Sequence, residues 1–248
     1  MRKLKLLAGL GLVSFLFAHG ETILFIGDSI TDGNWGSPDK YPCSSSERNQ
    51  WDQNHILGHG YAEMTAGYFM GNYPEKGYRF INRGISGETL NQISQRWNED
   101  ALSYKPDVIS LLCGTNDVHY WLETQPENRC DFYYANYKNN LDSLIHYTLS
   151  SAPETKIVLC TPFVAKASKI GQNENFELRK SVIDSIADIV REVSCNYGEN
   201  VILVDYNSLL DELLKENPTP EYWMWDGIHP TTAMHYRMSK QWIENFTD

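Results

Sequence analysis

The sequence predicts an α/β fold, a parallel β-sheet covered by helices on both faces. Two observations lead there. Short apolar runs rich in Ile, Leu and Val alternate with longer amphipathic stretches, the pattern of strands joined by helical crossovers. Hydrophobic residues make up 42% of the 248, enough for a full core, and no repeat, linker or low-complexity tract interrupts the alternation.

Positions 1–20 stand apart as a targeting segment. Arg2, Lys3 and Lys5 form a basic start, 6–17 is apolar but too short to span a bilayer comfortably, and Ala18-His19-Gly20 is a small-residue cleavage site. The expectation is a secreted or periplasmic protein that begins at Glu21, with 21–248 as one domain. Buried strands are expected at 22–27, 79–83, 108–113, 156–161 and 201–205, short runs of four to seven residues rich in Ile, Leu and Val. Helices are expected at 59–71, 90–104, 132–150, 175–197 and 231–245, with right-handed crossovers between parallel strands. The polar stretch 34–57 is long for a loop, and loops of that length are usually functional.

Ligands of an open parallel sheet bind beyond the carboxyl ends of its strands. Ser29, Gly87 and Asn116 follow the first three expected strands, so they converge on one sheet edge if those strands lie side by side. A serine is a weak nucleophile without an adjacent base. Asp226 and His229, three residues apart, supply one: on a tight turn the carboxylate accepts from one imidazole nitrogen and leaves the other for Ser29. An acyl-transfer transition state also needs donors for its oxyanion. The Ser29 and Gly87 backbone N–H groups and the Asn116 amide fill that role, while Asp28 and Asp117 are expected to bond loop N–H groups.

These four blocks, Gly27-Asp28-Ser29, Gly87, Gly114-Thr115-Asn116-Asp117 and Asp226-Gly227-Ile228-His229, resemble those of the SGNH hydrolase, or GDSL esterase, superfamily, with Ile30 where the nickname has leucine. The resemblance covers 22 to the C-terminus. It implies a flavodoxin-like three-layer α/β/α sandwich with five parallel strands, and a serine ester hydrolase acting through an acyl-enzyme, with Ser29, Asp226 and His229 as the triad. Similar exported members remove acetyl or other short acyl groups from carbohydrates. Trp35, Trp121 and Trp225, in stretches read as loops near the blocks, are the candidate sugar-stacking residues. Other readings are a lipase or lysophospholipase, an O-acetyltransferase, and a non-catalytic glycan-binding protein on the same fold.

The resemblance implies a small ester or an acetylated glycan as the partner, and composition argues against two other classes. With the three N-terminal cations removed from a total of 21, 18 basic residues face 32 acidic ones, a net charge of −14. A body so acidic, without a basic stripe, suits neither nucleic acid nor stable association with an anionic membrane. His55, His59, His119 and His235 lack ligand spacing, so no metal or other cofactor is implied. Of five cysteines, Cys113 and Cys160 sit in strand runs, Cys195 lies on a helical pattern, and the pairing of Cys43 with Cys130 stays open.

Overall fold

Five parallel strands form one sheet in the order β2-β1-β3-β4-β5 in a computed structural model that describes residues 20–33, 56–128, 131–168 and 175–247. The targeting segment 1–19, Trp35, Trp51, His55, Cys43 and Cys130 lie outside the described residues. The strands are β1 (Thr22–Gly27), β2 (Arg79–Gly84), β3 (Val108–Leu112), β4 (Lys156–Cys160) and β5 (Val201–Val204). β1 lies between β2 and β3, and its last residue, Gly27, pairs with Gly84 of β2 on one side and Leu112 of β3 on the other. The carboxyl ends of the first three strands are therefore level, and the segments after them meet.

Successive side chains of a strand point to opposite faces. Leu24 and Ile26 of β1 enter one core with α3 (Leu90–Gln95), α4 (Trp97–Asp100), α5 (Thr115–Asn128), α6 (Tyr134–Ser151) and α7 (Phe176–Cys195). Ile23 and Phe25 enter the other, with α2 (Tyr61–Asn72), α8 (Tyr206–Glu216) and α10 (Thr232–Thr247). The short turns α1 (Ser29–Asp32) and α9 (Pro220–Trp223) complete the set. In the second core Trp242 is wholly buried against Phe25, and its Nε1 donates to Ser110 Oγ at 3.0 Å, so its one polar atom is satisfied. Truncating a side chain of this size in a core costs about 3–5 kcal/mol, so Trp242 anchors α10, the helix that follows His229.

Three elements differ from expectation. The stretch expected as one helix over 90–104 breaks at Arg96 into α3 and α4. The stretch expected as a loop around Trp121 is the helix α5, where Val118 and Leu122 are the buried apolar side chains among the described residues and stand between polar neighbours. The unexpected α8 is capped by the Asp205 side chain, which accepts from Ser208 N–H, and it buries Tyr206, Leu210 and Leu213 at helical spacing.

Candidate active site

The nucleophile block is built by a tight turn at the end of β1. Asp28, 1% exposed, accepts from Ile30 N–H at 3.0 Å and starts the four-residue turn α1, with Ser29 as its first residue. Gly27 admits no side chain: a Cβ there would lie 2.3 Å from the Leu112 carbonyl oxygen. Gly33, at φ +64°, ends the turn in the left-handed region that glycine tolerates.

The base comes from the turn between α9 and α10. Met224 and Pro230 form an antiparallel bridge, Trp225 N–H donates to the His229 carbonyl at 3.1 Å, and Ala165 N–H holds the Gly227 carbonyl at 2.9 Å. Within this closed turn Asp226 Oδ1 accepts from Ile228 N–H at 2.9 Å and His229 N–H at 2.7 Å. Its Oδ2 lies 2.7 Å from His229 Nδ1, and His229 Nε2 lies 2.9 Å from Ser29 Oγ. The structure thus joins Ser29, His229 and Asp226 in one relay. Nδ1 carries the proton, held by the carboxylate, and Nε2 is free to accept from the serine.

The oxyanion blocks meet beside it. Gly87 has φ +81°, and a Cβ there would sit 3.3 Å from Tyr120 Oη, so the tyrosine on α5 closes the space behind this loop. Ser86 donates from both N–H and Oγ to Asp32 Oδ2, at 3.2 and 2.8 Å, which ties the loop to the turn that carries Ser29. Asn116 Nδ2 donates to the Glu88 carbonyl at 3.1 Å, and Asp117 Oδ2 accepts from Leu90 N–H at 3.0 Å. One hydrogen of the Asn116 amide is used in this bond, which fixes the loop. Asp28 and Asp117 both bond loop N–H groups, as expected.

The electrostatics suit a base. Burial works to lower the His229 pKa, but the hydrogen bond and charge of Asp226, helped by Asp28, outweigh it and raise the pKa above the ordinary 6.5. Burial works the other way on Asp226, where the hydrogen bonds from His229 and from two backbone N–H groups prevail and keep it ionised below the ordinary value. Asp28 is different: burial outweighs its single N–H partner and the nearby imidazole, and its pKa rises to about 7.

A cleft of about 480 Å³ opens over Ser29 and His229, with Ser86, His59, His235 and Trp225 in its wall. Trp225 is 59% exposed and lies nearly parallel to the His229 ring, 5.6 Å between centroids and 19° between planes. Trp121 is not brought there: it packs edge-on against Phe132 beside the first core. Sequence reasoning missed Asp32 and weighed His59 and His235 only as metal ligands. The two histidines reach the cleft from segments whose position only the folded sheet sets. Among the described residues no group of three or more His, Cys, Asp or Glu side chains is placed to hold a metal. Cys113 and Cys160 are buried free thiols, and Cys195 is free and exposed.

Fold and relay together define a serine-dependent ester hydrolase. The sequence model of the GDSL-like Lipase/Acylhydrolase family matches residues 25–237, and the chain belongs to that family. An acetylxylan esterase from Geobacillus stearothermophilus is 32% identical over 225 residues, covering 90% of this chain and 93% of that protein. The crystal structure of an acetylxylan esterase from that organism superposes with a TM-score of 0.72 at 29% identity, covering 94% of this chain and 96% of the other. A putative GDSL-like lipase from Parabacteroides merdae gives 0.75 at 30% identity, covering 92% and 96%. The chain is a carboxylic ester hydrolase.

Asn116→Ala leaves the triad intact and removes one oxyanion donor. Such losses lower kcat by about 10²–10³. The expected result is a fall of that size in kcat with little change in KM on an aryl acetate. A change confined to KM would place Asn116 in substrate binding instead.

Proposed function

We propose that this enzyme removes acetyl groups from the hydroxyls of a carbohydrate, with acetylated xylan as the favoured class, and that it does so as an exported protein. The observation that carries the reading is Trp225, a flat exposed aromatic face beside the catalytic imidazole in a cleft that Ser86, Thr232, His59 and His235 line together with Ile30 and Pro230. The similarity to an acetylxylan esterase over 90% of the chain supports it, and the basic-apolar-small pattern of 1–20 supports export.

In this reading Ser29 Oγ attacks the acetyl carbonyl while His229 Nε2 takes its proton. The oxyanion gathers the Ser29 and Gly87 N–H groups and the Asn116 amide. The intermediate collapses to acetyl-Ser29, and the imidazolium returns its proton to the departing sugar oxygen. Water, deprotonated by His229, then attacks the acetyl-serine; the bond to Ser29 Oγ breaks, the imidazolium returns its proton to that oxygen, and acetate is released.

A long acyl chain needs a continuous apolar groove, since each buried CH₂ contributes only about 0.8 kcal/mol. The expected result is acetate release from acetylated xylan and faster turnover of acetyl than of octanoyl esters, by protein whose mass shows an N-terminus at Glu21. Faster turnover of long-chain esters with activation at a lipid interface would establish the lipase reading. Acetyl transfer to an added sugar in preference to water would establish the transferase.

A further inference from the structure

The cleft wall contains a second histidine that the relay does not use. His235 lies on the first turn of α10, six residues after His229, and its ring lines the same cleft as Ser29. It stands nearly parallel to the buried Tyr61 ring, 6.4 Å between centroids and 9° between planes, with Gly60 close against its edge. A Cβ at Gly60 would lie 3.0 Å from His235 Cε1, so the ring is held between α10 and the start of α2.

Its chemical form is fixed by the backbone. Tyr61 N–H, at the open N-terminus of α2, donates to His235 Nδ1 at 3.2 Å. A nitrogen that accepts an N–H carries no proton, so the proton of the neutral ring sits on Nε2. A cationic ring would set a second N–H against that donor at the positive end of a helix. Burial, with the charge of His229 second, lowers its pKa to about 4, so the ring stays neutral wherever His229 can act as base. Nε2 makes no hydrogen bond to any described residue. The one polar atom the ring has to present to the cleft is therefore a permanent donor.

That donor has no part in stabilising the oxyanion. The oxyanion donors other than Ser29, namely Gly87 and Asn116, do not line this cleft, which extends to the side of them. An acetyl group has a single carbonyl oxygen, committed to the oxyanion donors. The oxygens left for His235 belong to the alcohol part of the ester. We propose that His235 is a specificity-determining residue whose Nε2–H donates to a free hydroxyl or ring oxygen of the sugar that carries the acetyl group. This rests on the carbohydrate reading above.

The test compares an acetylated methyl xyloside, which offers such oxygens, with phenyl acetate, an aryl acetate whose alcohol part has no oxygen beyond the ester oxygen itself. His235→Phe keeps a flat ring and loses the donor, and His235→Gln restores an N–H. One neutral hydrogen bond is worth about 1 kcal/mol net, roughly fivefold. The ratio of kcat/KM on the xyloside to that on the aryl acetate should fall about 5–10-fold in His235→Phe and recover in part in His235→Gln. The pH profile on the aryl acetate should keep its acidic limb, because His235 does not titrate there. An equal fall on both substrates makes His235 a structural prop for α2 and overturns the proposal, as does an unchanged ratio or a displaced acidic limb. A wild-type enzyme that turns over the aryl acetate but releases no acetate from the xyloside overturns the carbohydrate reading, and this inference with it. Wild-type turnover of both with an indifferent His235→Phe removes the inference alone.

Discussion

Ser29→Ala is expected to lower kcat by about 10⁴–10⁶, the range seen when a serine nucleophile that works as a unit with its base is removed. The fold should survive. The Ser29 hydroxyl bonds His229 Nε2, while the turn itself is held by Asp28 Oδ1 on Ile30 N–H and by backbone bonds from Asp32 N–H to the Asp28 carbonyl and from Gly33 N–H to the Ser29 carbonyl. None of these needs the Ser29 side chain. Aryl acetate turnover and a thermal melt on the same preparation check it. The melting temperature should stay close to wild type while turnover collapses, and a serine-directed phosphonate that labels wild type should fail to label the variant. Substantial activity in Ser29→Ala, or phosphonate on another residue, removes Ser29 from the role.

That Ser29, His229 and Asp226 come together could be read from the sequence because the contact is local and the topology simple. Asp226 and His229 lie on one turn, so their contact needs no tertiary knowledge. Ser29, Gly87 and Asn116 each follow a strand, and a parallel sheet with β1 between β2 and β3 brings such positions together. The strands were legible for a related reason: burial on both faces demands an unbroken apolar run, as in β1.

What was not legible depends on a partner far away in the chain. Apolar residues of α5 such as Val118 and Leu122 are separated by polar ones, so Trp121 read as a loop residue when it is a helical one packed on Phe132. Trp223 and Trp225 look alike in sequence, two apart. Yet Trp223 is 5% exposed, with Nε1 donating to the Asn217 carbonyl, and Trp225 stands out over the cleft. A short turn followed by a bridge sends alternate residues to opposite sides, and only the fold says which side is wet. The tautomer of His235 is likewise set by an N–H 174 positions away.

Asp226→Asn should be the second most damaging change, and its cause lies in which oxygen does what. Asp226 Oδ1 is occupied by the N–H groups of Ile228 and His229, so an asparagine at 226 keeps its carbonyl oxygen there. Its NH₂ group then faces His229 Nδ1 in place of Oδ2. Two donors cannot face each other, so the imidazole proton moves to Nε2 and the nitrogen beside Ser29 can no longer accept. Loss of turnover by this tautomer route amounts to about 10⁴ in a serine hydrolase triad, with geometry preserved. The residual activity carries a second signature. In wild type kcat/KM should fall on the acidic side with an apparent pKa above the ordinary value of about 6.5, because Asp226 and Asp28 outweigh burial at His229. Removing the Asp226 charge leaves burial, which lowers the pKa, opposed only weakly by Asp28, whose own pKa of about 7 leaves it largely neutral on the acidic limb. The acidic limb of Asp226→Asn should therefore shift to lower pH than that of wild type. Activity profiles from pH 4.5 to 9, with chemistry rate-limiting, measure both effects. A limb that stays in place, or moves up, would show that Asp226 does not set the charge state of His229, and a loss of only a few-fold would show that it does not set the tautomer.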